Sequence, residues 1–207
     1  MATNVAAIVR LMLVTDDALI GARDPVPLVE AAVRGGVTSV QLRLKDATAR
    51  DLAALVRRVR AAVSIPVLVN DRADVALAVG ADGVHLGPDD VPVPLIRTIS
   101  PPGFLIGASV GSLAEVDGGR GADYWGVGPF RQTSTKAEAG APLGPEGFAA
   151  LIRHAEGRVC LAIGGLRPGD VPAVLLAGGV GVAVVSGILG AEDVETAARE
   201  YRAAFPP

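Results

Sequence analysis

Lysine occurs at only two positions in this chain, Lys45 and Lys136, although Lys and Arg together number 19. Lys45 sits in the phrase Gln41-Leu42-Arg43-Leu44-Lys45-Asp46. If that phrase is extended, alternation puts Gln41, Arg43 and Lys45 on one face. Lys136 closes the phrase Thr133-Ser134-Thr135-Lys136. One guanidinium fork and two ammonium groups suit a polyphosphate, whose oxygens need several positive charges. Asp71, in Asn70-Asp71-Arg72, and Asp90, in Gly87-Pro88-Asp89-Asp90, are hard carboxylates of the kind that hold Mg²⁺ beside substrate phosphates. Gly164-Gly165 and Ser186-Gly187 supply backbone N–H groups of the kind that cradle a phosphate.

Each of these residues also has a plainer role open to it. Arg43 could form a rim salt bridge with Asp71, and Asp89 or Asp90 could cap a helix starting near Val91-Pro92. His85, in the middle of Gly-Val-His-Leu-Gly, fits a satisfied structural histidine better than a catalytic one. Cys160 and Trp125 read as core, and His154 as exposed on a helix.

Chemistry of this kind needs a scaffold that brings distant residues to one edge. Eight β-rich runs punctuate the chain: Leu11–Asp16, Val37–Arg43, Ile65–Asp71, Gly83–Gly87, Phe104–Val110, Asp123–Phe130, Val159–Gly165 and Gly181–Ile188. Most are rich in Val, Ile and Leu rather than strictly alternating, as parallel strands buried on both faces are. Helical stretches lie between them. In Thr48–Val63 the apolar Leu52, Leu55, Val56, Val59 and Val63 share one side and Arg57, Arg58 and Arg60 lie largely opposite. Glycine-rich joints such as RGGVTSV and VGADGVH end a helix and open the next strand. Eight strand–helix units at a spacing of roughly 25 residues predict one domain over residues 1–207, an α/β fold built as a parallel (β/α)8 TIM barrel. Such barrels place chemistry at the C-terminal ends of the strands. Gln41, Arg43, Lys45, Asn70, Asp71, Asp90, Ser109, Gly165 and Ser186 all fall at or just past those ends. The irregular stretch from Arg131 to Gly144 reads as a binding loop.

Composition narrows the function classes. Net charge is −3 and aromatics make up 3%, so there is neither a basic field nor a stacking platform for nucleic acid. One cysteine excludes a disulfide framework, and two distant histidines do not suggest a zinc site. The uncharged stretch Val171–Gly190 has the length of a membrane span but reads as a helix end, a Gly-Gly cap and a buried strand. No secretory signal is evident at the start, so a cytoplasmic protein is expected.

The stretches VQLRLKD, VNDRADVALAVGADGVHLGPDD, GVGPF followed by TSTK, AIGG and VVSGI resemble, in order, the thiamine-phosphate synthase family, which it shares with the thiazole tautomerases. The resemblance covers nearly the whole chain. It implies a transferase that joins hydroxymethylpyrimidine diphosphate to a thiazole phosphate, with Mg²⁺, releasing pyrophosphate. It further implies that Arg43, Lys45, Asn70 and Lys136 hold the diphosphate and that Asp71 and Asp90 hold the metal. Gln41 and Ser109 would face the aminopyrimidine; Thr133, Thr135, Gly165, Val185 and Ser186 would hold the thiazole phosphate. The implied partners are these small molecules, with no nucleic acid or membrane; a homo-oligomer is left open.

Three positions, Met12, Val110 and Gly111, depart from the family pattern. Met12 stands where a Tyr is common, and Ser109-Val110-Gly111-Ser112 replaces Ser-Thr-His-Ser. The tautomerase branch resembles a set of chains with a general acid/base His after the Gly ending the sixth run and without the Asp of NDR. Here that position is Pro129, which has no proton to shuttle, and Asp71 is present. A phosphate-binding regulatory barrel is the alternative from another class.

Overall fold

Eight short strands close on themselves in sequence order, every neighbouring pair parallel. They are β1 (Leu11–Val14), β2 (Ser39–Leu42), β3 (Val67–Asn70), β4 (Gly83–Leu86), β5 (Leu105–Val110), β6 (Tyr124–Val127), β7 (Val159–Ile163) and β8 (Gly181–Val184). This is the expected (β/α)8 barrel. The computed structural model describes residues 4–133 and 140–206.

The helices are α1 (Val5–Ile8), α2 (Asp17–Ile20), α3 (Pro25–Arg34), α4 (Ala49–Ala62), α5 (Ala73–Val79), α6 (Val93–Ile99), α7 (Gly144–Ile152), α8 (Val171–Leu176), α9 (Ser186–Leu189) and α10 (Val194–Ala203). In α4 the Thr48 hydroxyl accepts from the Asp51 N–H at 3.2 Å, satisfying a donor that the first turn leaves orphaned. Leu52, Leu55, Val56 and Val59 are buried on its inner face, as the periodicity predicts. At about 2 kcal/mol each, those side chains contribute on the order of 8 kcal/mol before the entropy of ordering is counted.

Alternation along the strands separates two cores. Leu11, Leu13, Val40, Val69, Val84, Ile106, Trp125, Ala162 and Val182 pack outward with the helices. Met12, Val14, Leu68, Leu105, Tyr124, Leu161 and Ala183 fill the barrel interior, with Val9 among them. The inward set continues upward on each strand, and many of its upper members are polar or glycine, with Val14, Ile163 and Val185 among the apolar exceptions. That change of chemistry with height opens a cavity at the C-terminal end.

Several boundaries differ from the sequence reading. The predicted runs overshoot the strands, and the second half of the last run, Ser186–Leu189, is the short helix α9. The segment between β5 and β6 holds a 3-10 turn, Leu113–Glu115, and among the described residues no α-helix. With Gly111, Gly118, Gly119 and Gly121 in so short a stretch, backbone entropy opposes a helix. His154 is exposed, but in a turn just past α7 rather than on a helix. The uncharged stretch 171–190 divides into α8, β8 and α9, and no described helix is long and apolar enough to cross a membrane. Trp125 and Cys160 are buried, as expected.

Candidate active site

A cavity of about 500 Å³ opens at the C-terminal end of the barrel. Gln41, Arg43, Lys45, Asn70, Asp71, Asp90, Ser109, Thr133, Gly165, Val185 and Ser186 all line it. The two remaining sequence candidates, Thr135 and Lys136, lie outside the described residues.

Gln41, Arg43 and Lys45 reach one cavity because they share strand parity, and each is held differently. Arg43 is largely shielded and pairs with Asp16 at 2.9 Å; its backbone N–H donates to Thr15 Oγ1 at 2.8 Å. The plainer role open to Arg43, a salt bridge with Asp71, gives way to a pair with the loop after β1, the strand beside β2. Lys45 is exposed on the rim and has no ion-pair partner among the described residues. Gln41 is buried, and its Nε2 donates to Met12 Sδ at 3.6 Å. A thioether can accept but cannot donate, so the amide nitrogen faces Met12 and Oε1 remains as an acceptor. Met12, which lacks the hydroxyl of the family's usual Tyr, thus holds the Gln41 amide through its sulfur.

Asp71 adopts φ +62°, a left-handed conformation that Asp and Asn tolerate better than most residues. Its N–H continues the β3–β4 ladder by donating to the His85 carbonyl at 2.8 Å, and this turn aims the carboxylate at the rim. There it meets Asp90. Partial desolvation, followed by the charge of Asp90, pushes the Asp71 carboxyl up to about 6, against a relieving influence from Arg43. Asp90 Oδ2 accepts from the Gly87 N–H at 2.6 Å and so closes the turn after β4. Neither Asp89 nor Asp90 caps the next helix: Pro92 holds the N-cap position of α6, with no side-chain cap. Two adjacent carboxylates that repel each other form an all-oxygen donor set suited to a hard divalent cation. Among the described residues no cluster reaches three His, Cys, Asp or Glu. Mg²⁺ is compatible with that, since it commonly takes one or two carboxylates and completes its shell with waters and substrate phosphates.

The opposite rim is built from β7, β8 and the segment after β6. Gly164 and Gly165 adopt φ +98° and +63°. The Arg131 N–H donates to the Gly164 carbonyl at 2.9 Å, and the Phe130 N–H to Ile163 at 2.8 Å. The Arg131 side chain grips the buried Asp170 with two bonds of 2.8 and 2.6 Å, which holds the Asp170 carboxyl below its ordinary range against the effect of burial. Thr133 reaches the cavity from this anchored stretch. Val185 and Ser186 follow β8, where α9 begins, and Tyr201 Oη donates to the Leu166 carbonyl at 2.6 Å behind them.

Of the lining residues outside the site reading of the sequence, His85 and Glu115 bring polar side chains with defined partners. His85 is mostly buried, yet it lines the cavity and lies 3.0 Å from both Ser109 Oγ and Tyr124 Oη. Its strand parity, matching Gly83 and two residues from Gly87, was the available signal. Glu115 Oε2 accepts from the Gly111 N–H at 2.7 Å and Oε1 from Ser112 Oγ at 3.2 Å. The Ser-x-x-Glu spacing of Ser112 and Glu115 marked it. A Cβ on Gly111 would lie 2.7 Å from the Gly128 carbonyl oxygen, so the absence of the family's usual side chain there matches this close approach of two loops.

The family model described as thiamine monophosphate synthase matches residues 11–188. A thiamine-phosphate synthase of Azorhizobium caulinodans is 48% identical over 198 residues, covering 93% of this chain and 92% of its own. One from Chloroflexus aurantiacus is 44% identical over 199 residues, covering 94% and 91%. Among solved structures, a thiamine phosphate pyrophosphorylase from Pyrococcus furiosus superposes with a TM-score of 0.81 at 36% identity, covering 97% of each chain. Residues, barrel and cavity thus agree with the likeness over almost the full length: the chain belongs to the thiamine monophosphate synthase family.

Proposed function

We propose that this protein condenses hydroxymethylpyrimidine diphosphate with a thiazole phosphate to give thiamine phosphate and pyrophosphate. The observation that carries the reading is the division of one cavity rim. Arg43 and Lys45 stand with the Asp71–Asp90 pair on one side, and the Gly165, Val185 and Ser186 backbone stands on the other. Two separate anion sites on one cavity match two phosphorylated substrates meeting between them.

The bond from the pyrimidine methylene to the diphosphate breaks with its electron pair going to pyrophosphate. The thiazole nitrogen lone pair then forms the new carbon–nitrogen bond. The electron-rich pyrimidine stabilises the positive methylene, so the displacement is dissociative and the protein needs no strong base. Its task is to neutralise the departing charge and hold the nucleophile in line. Arg43, Lys45, Asn70 and Lys136 bind the diphosphate. Gln41 Oε1 accepts from the pyrimidine amino group, and Ser109 meets the same half. Thr133 and Thr135, with the backbone of Gly165, Val185 and Ser186, hold the thiazole phosphate. Asp71 and Asp90 would hold Mg²⁺, which when bound supplies further positive charge to the leaving diphosphate.

Purified protein is expected to release pyrophosphate only with both substrates and Mg²⁺, and Lys136→Ala or Arg43→Ala should reduce the rate about 100-fold or more. Binding of thiazole phosphate without any pyrophosphate release would support the thiazole tautomerase or the regulatory barrel instead. A milder change tests the pyrimidine side. Met12→Leu removes the sulfur acceptor and releases the Gln41 amide, so the KM for the pyrimidine diphosphate should rise severalfold while that for thiazole phosphate stays put. Equal changes in both would detach Gln41 from the pyrimidine.

A further inference from the structure

His85 on β4 is in register with Gly107 on β5, and Gly107 with Tyr124 on β6. The three therefore occupy one layer of the barrel, and the middle one has no side chain. A Cβ on Gly107 would overlap the end of the Tyr124 ring and lie 2.5 Å from His85 Nδ1. One on Gly126 would lie 3.0 Å from His85 Cε1. Two Cβ-free strand positions thus make the slot in which Tyr124 and His85 meet.

The hydrogen bonds in that slot have a direction. Tyr124 is fully buried, and among the described residues its hydroxyl has His85 Nδ1 as its hydrogen-bond partner, at 3.0 Å. Burial pushes the phenol far above its ordinary range, so the hydroxyl keeps its proton. If Nδ1 carried a proton, that buried O–H would have no acceptor among the described residues, and a buried donor left unsatisfied is costly. Tyr124 therefore donates to Nδ1, and the imidazole proton belongs on Nε2. Nε2–H in turn donates to Ser109 Oγ at 3.0 Å. With its oxygen accepting from His85, Ser109 has its own proton free to point into the cavity it lines.

We propose that Tyr124 and His85 are positioning residues: a one-way relay that fixes Ser109 as a hydrogen-bond donor to an acceptor atom of the pyrimidine diphosphate. The role of Ser109 in turnover rests on the synthase reading above; the direction of the relay does not.

The direction is read first, on the free protein, by nitrogen-15 NMR of labelled histidine. His154 is the only other histidine, and His154→Gln assigns the pair. The expected result is His85 protonated at Nε2 and bare at Nδ1, with Tyr124→Phe shifting protons to Nδ1. A parent signal with Nδ1 protonated and Nε2 bare overturns the relay, whether or not the protein turns over substrate. Kinetics then separate positioning from packing. Tyr124→Phe is expected to lower kcat about fivefold to tenfold with the KM for thiazole phosphate unchanged, and to cost less than twofold in a Ser109→Ala background. The same loss in both backgrounds means that Tyr124 acts only through the core and overturns the proposal. Should Tyr124→Phe fail to fold, His85→Gln, whose amide can accept from Tyr124 and donate to Ser109, should retain several times the activity of His85→Leu. Equal activities would overturn it. A parent that releases no pyrophosphate sinks the synthase reading and leaves the relay to the NMR result.

Discussion

Asp71→Asn should yield a protein that melts at a higher temperature than its parent in metal-free buffer at pH 7.5, yet releases pyrophosphate at least about 100-fold more slowly. The stability half follows from the repulsion between Asp71 and Asp90. The Asp71 carboxyl titrates near 6 in the fold, against an ordinary value of 3.8. Between those values the folded chain binds more protons than the unfolded one, so stability falls as pH rises from about 4 to about 6. Above that window the folded chain holds two adjacent negative charges. Asn removes one of them, and Asn accepts the φ of +62° as readily as Asp does. Discounted for the solvent around an exposed carboxylate, the gain is on the order of 1 kcal/mol, or about 2–4 °C for a chain of this size. The activity half follows from the loss of one of two carboxylates proposed for Mg²⁺, whose charge stabilisation is worth several kcal/mol. Scanning calorimetry from pH 4 to 8 should show the variant's advantage in stability over its parent growing from about pH 4 to about pH 6 and levelling above it, since the carboxylates held below their ordinary range, Asp170 among them, act alike in both proteins. A variant matching its parent in melting, pH slope and rate would remove the carboxylate pair from the mechanism.

The legible part of this molecule was whatever depends on strand parity and strand order. Gln41, Arg43 and Lys45 were placed on one face by alternation alone, and all three line the cavity. The order of the runs became the order of the barrel, because a parallel sheet joined by short crossovers leaves few other arrangements. What escaped depends on register between strands. Asp71 and Asp90 were both named as carboxylates for a metal; what one strand read alone does not show is their contact, which the adjacency of β3 and β4 makes. Arg43 finds Asp16 because β1 and β2 are neighbours, an alternative that one strand read alone does not offer. His85 read as a core histidine because a mid-strand residue is expected to be buried. These strands are four to six residues long, so its inward position is already close to the cavity floor.

The largest loss on the opposite rim is expected from Gly165→Ala, a single methyl group. Gly165 holds φ +63°, and a Cβ there would lie 2.5 Å from the Gln132 carbonyl oxygen and 2.9 Å from Arg131 Cβ. Loops usually absorb such collisions, but this one has little freedom. Its Arg131 N–H is bonded to the Gly164 carbonyl, and the Arg131 side chain is locked onto Asp170. The methyl must therefore displace Gln132, and with it Thr133, away from the cavity, or else force β7's end off Val185 and Ser186. Left-handed backbone strain adds about 1 kcal/mol and the overlap about 1–3 more, which together lower melting by roughly 5–12 °C. The functional signature separates this from general weakening. The KM for thiazole phosphate should rise at least about tenfold, while the affinity for the pyrimidine diphosphate, for which Arg43, Lys45 and Asn70 are the proposed site, changes little. A variant that melts early but binds thiazole phosphate as its parent does would make Gly165 a packing residue only, and the thiazole phosphate would have to be held elsewhere.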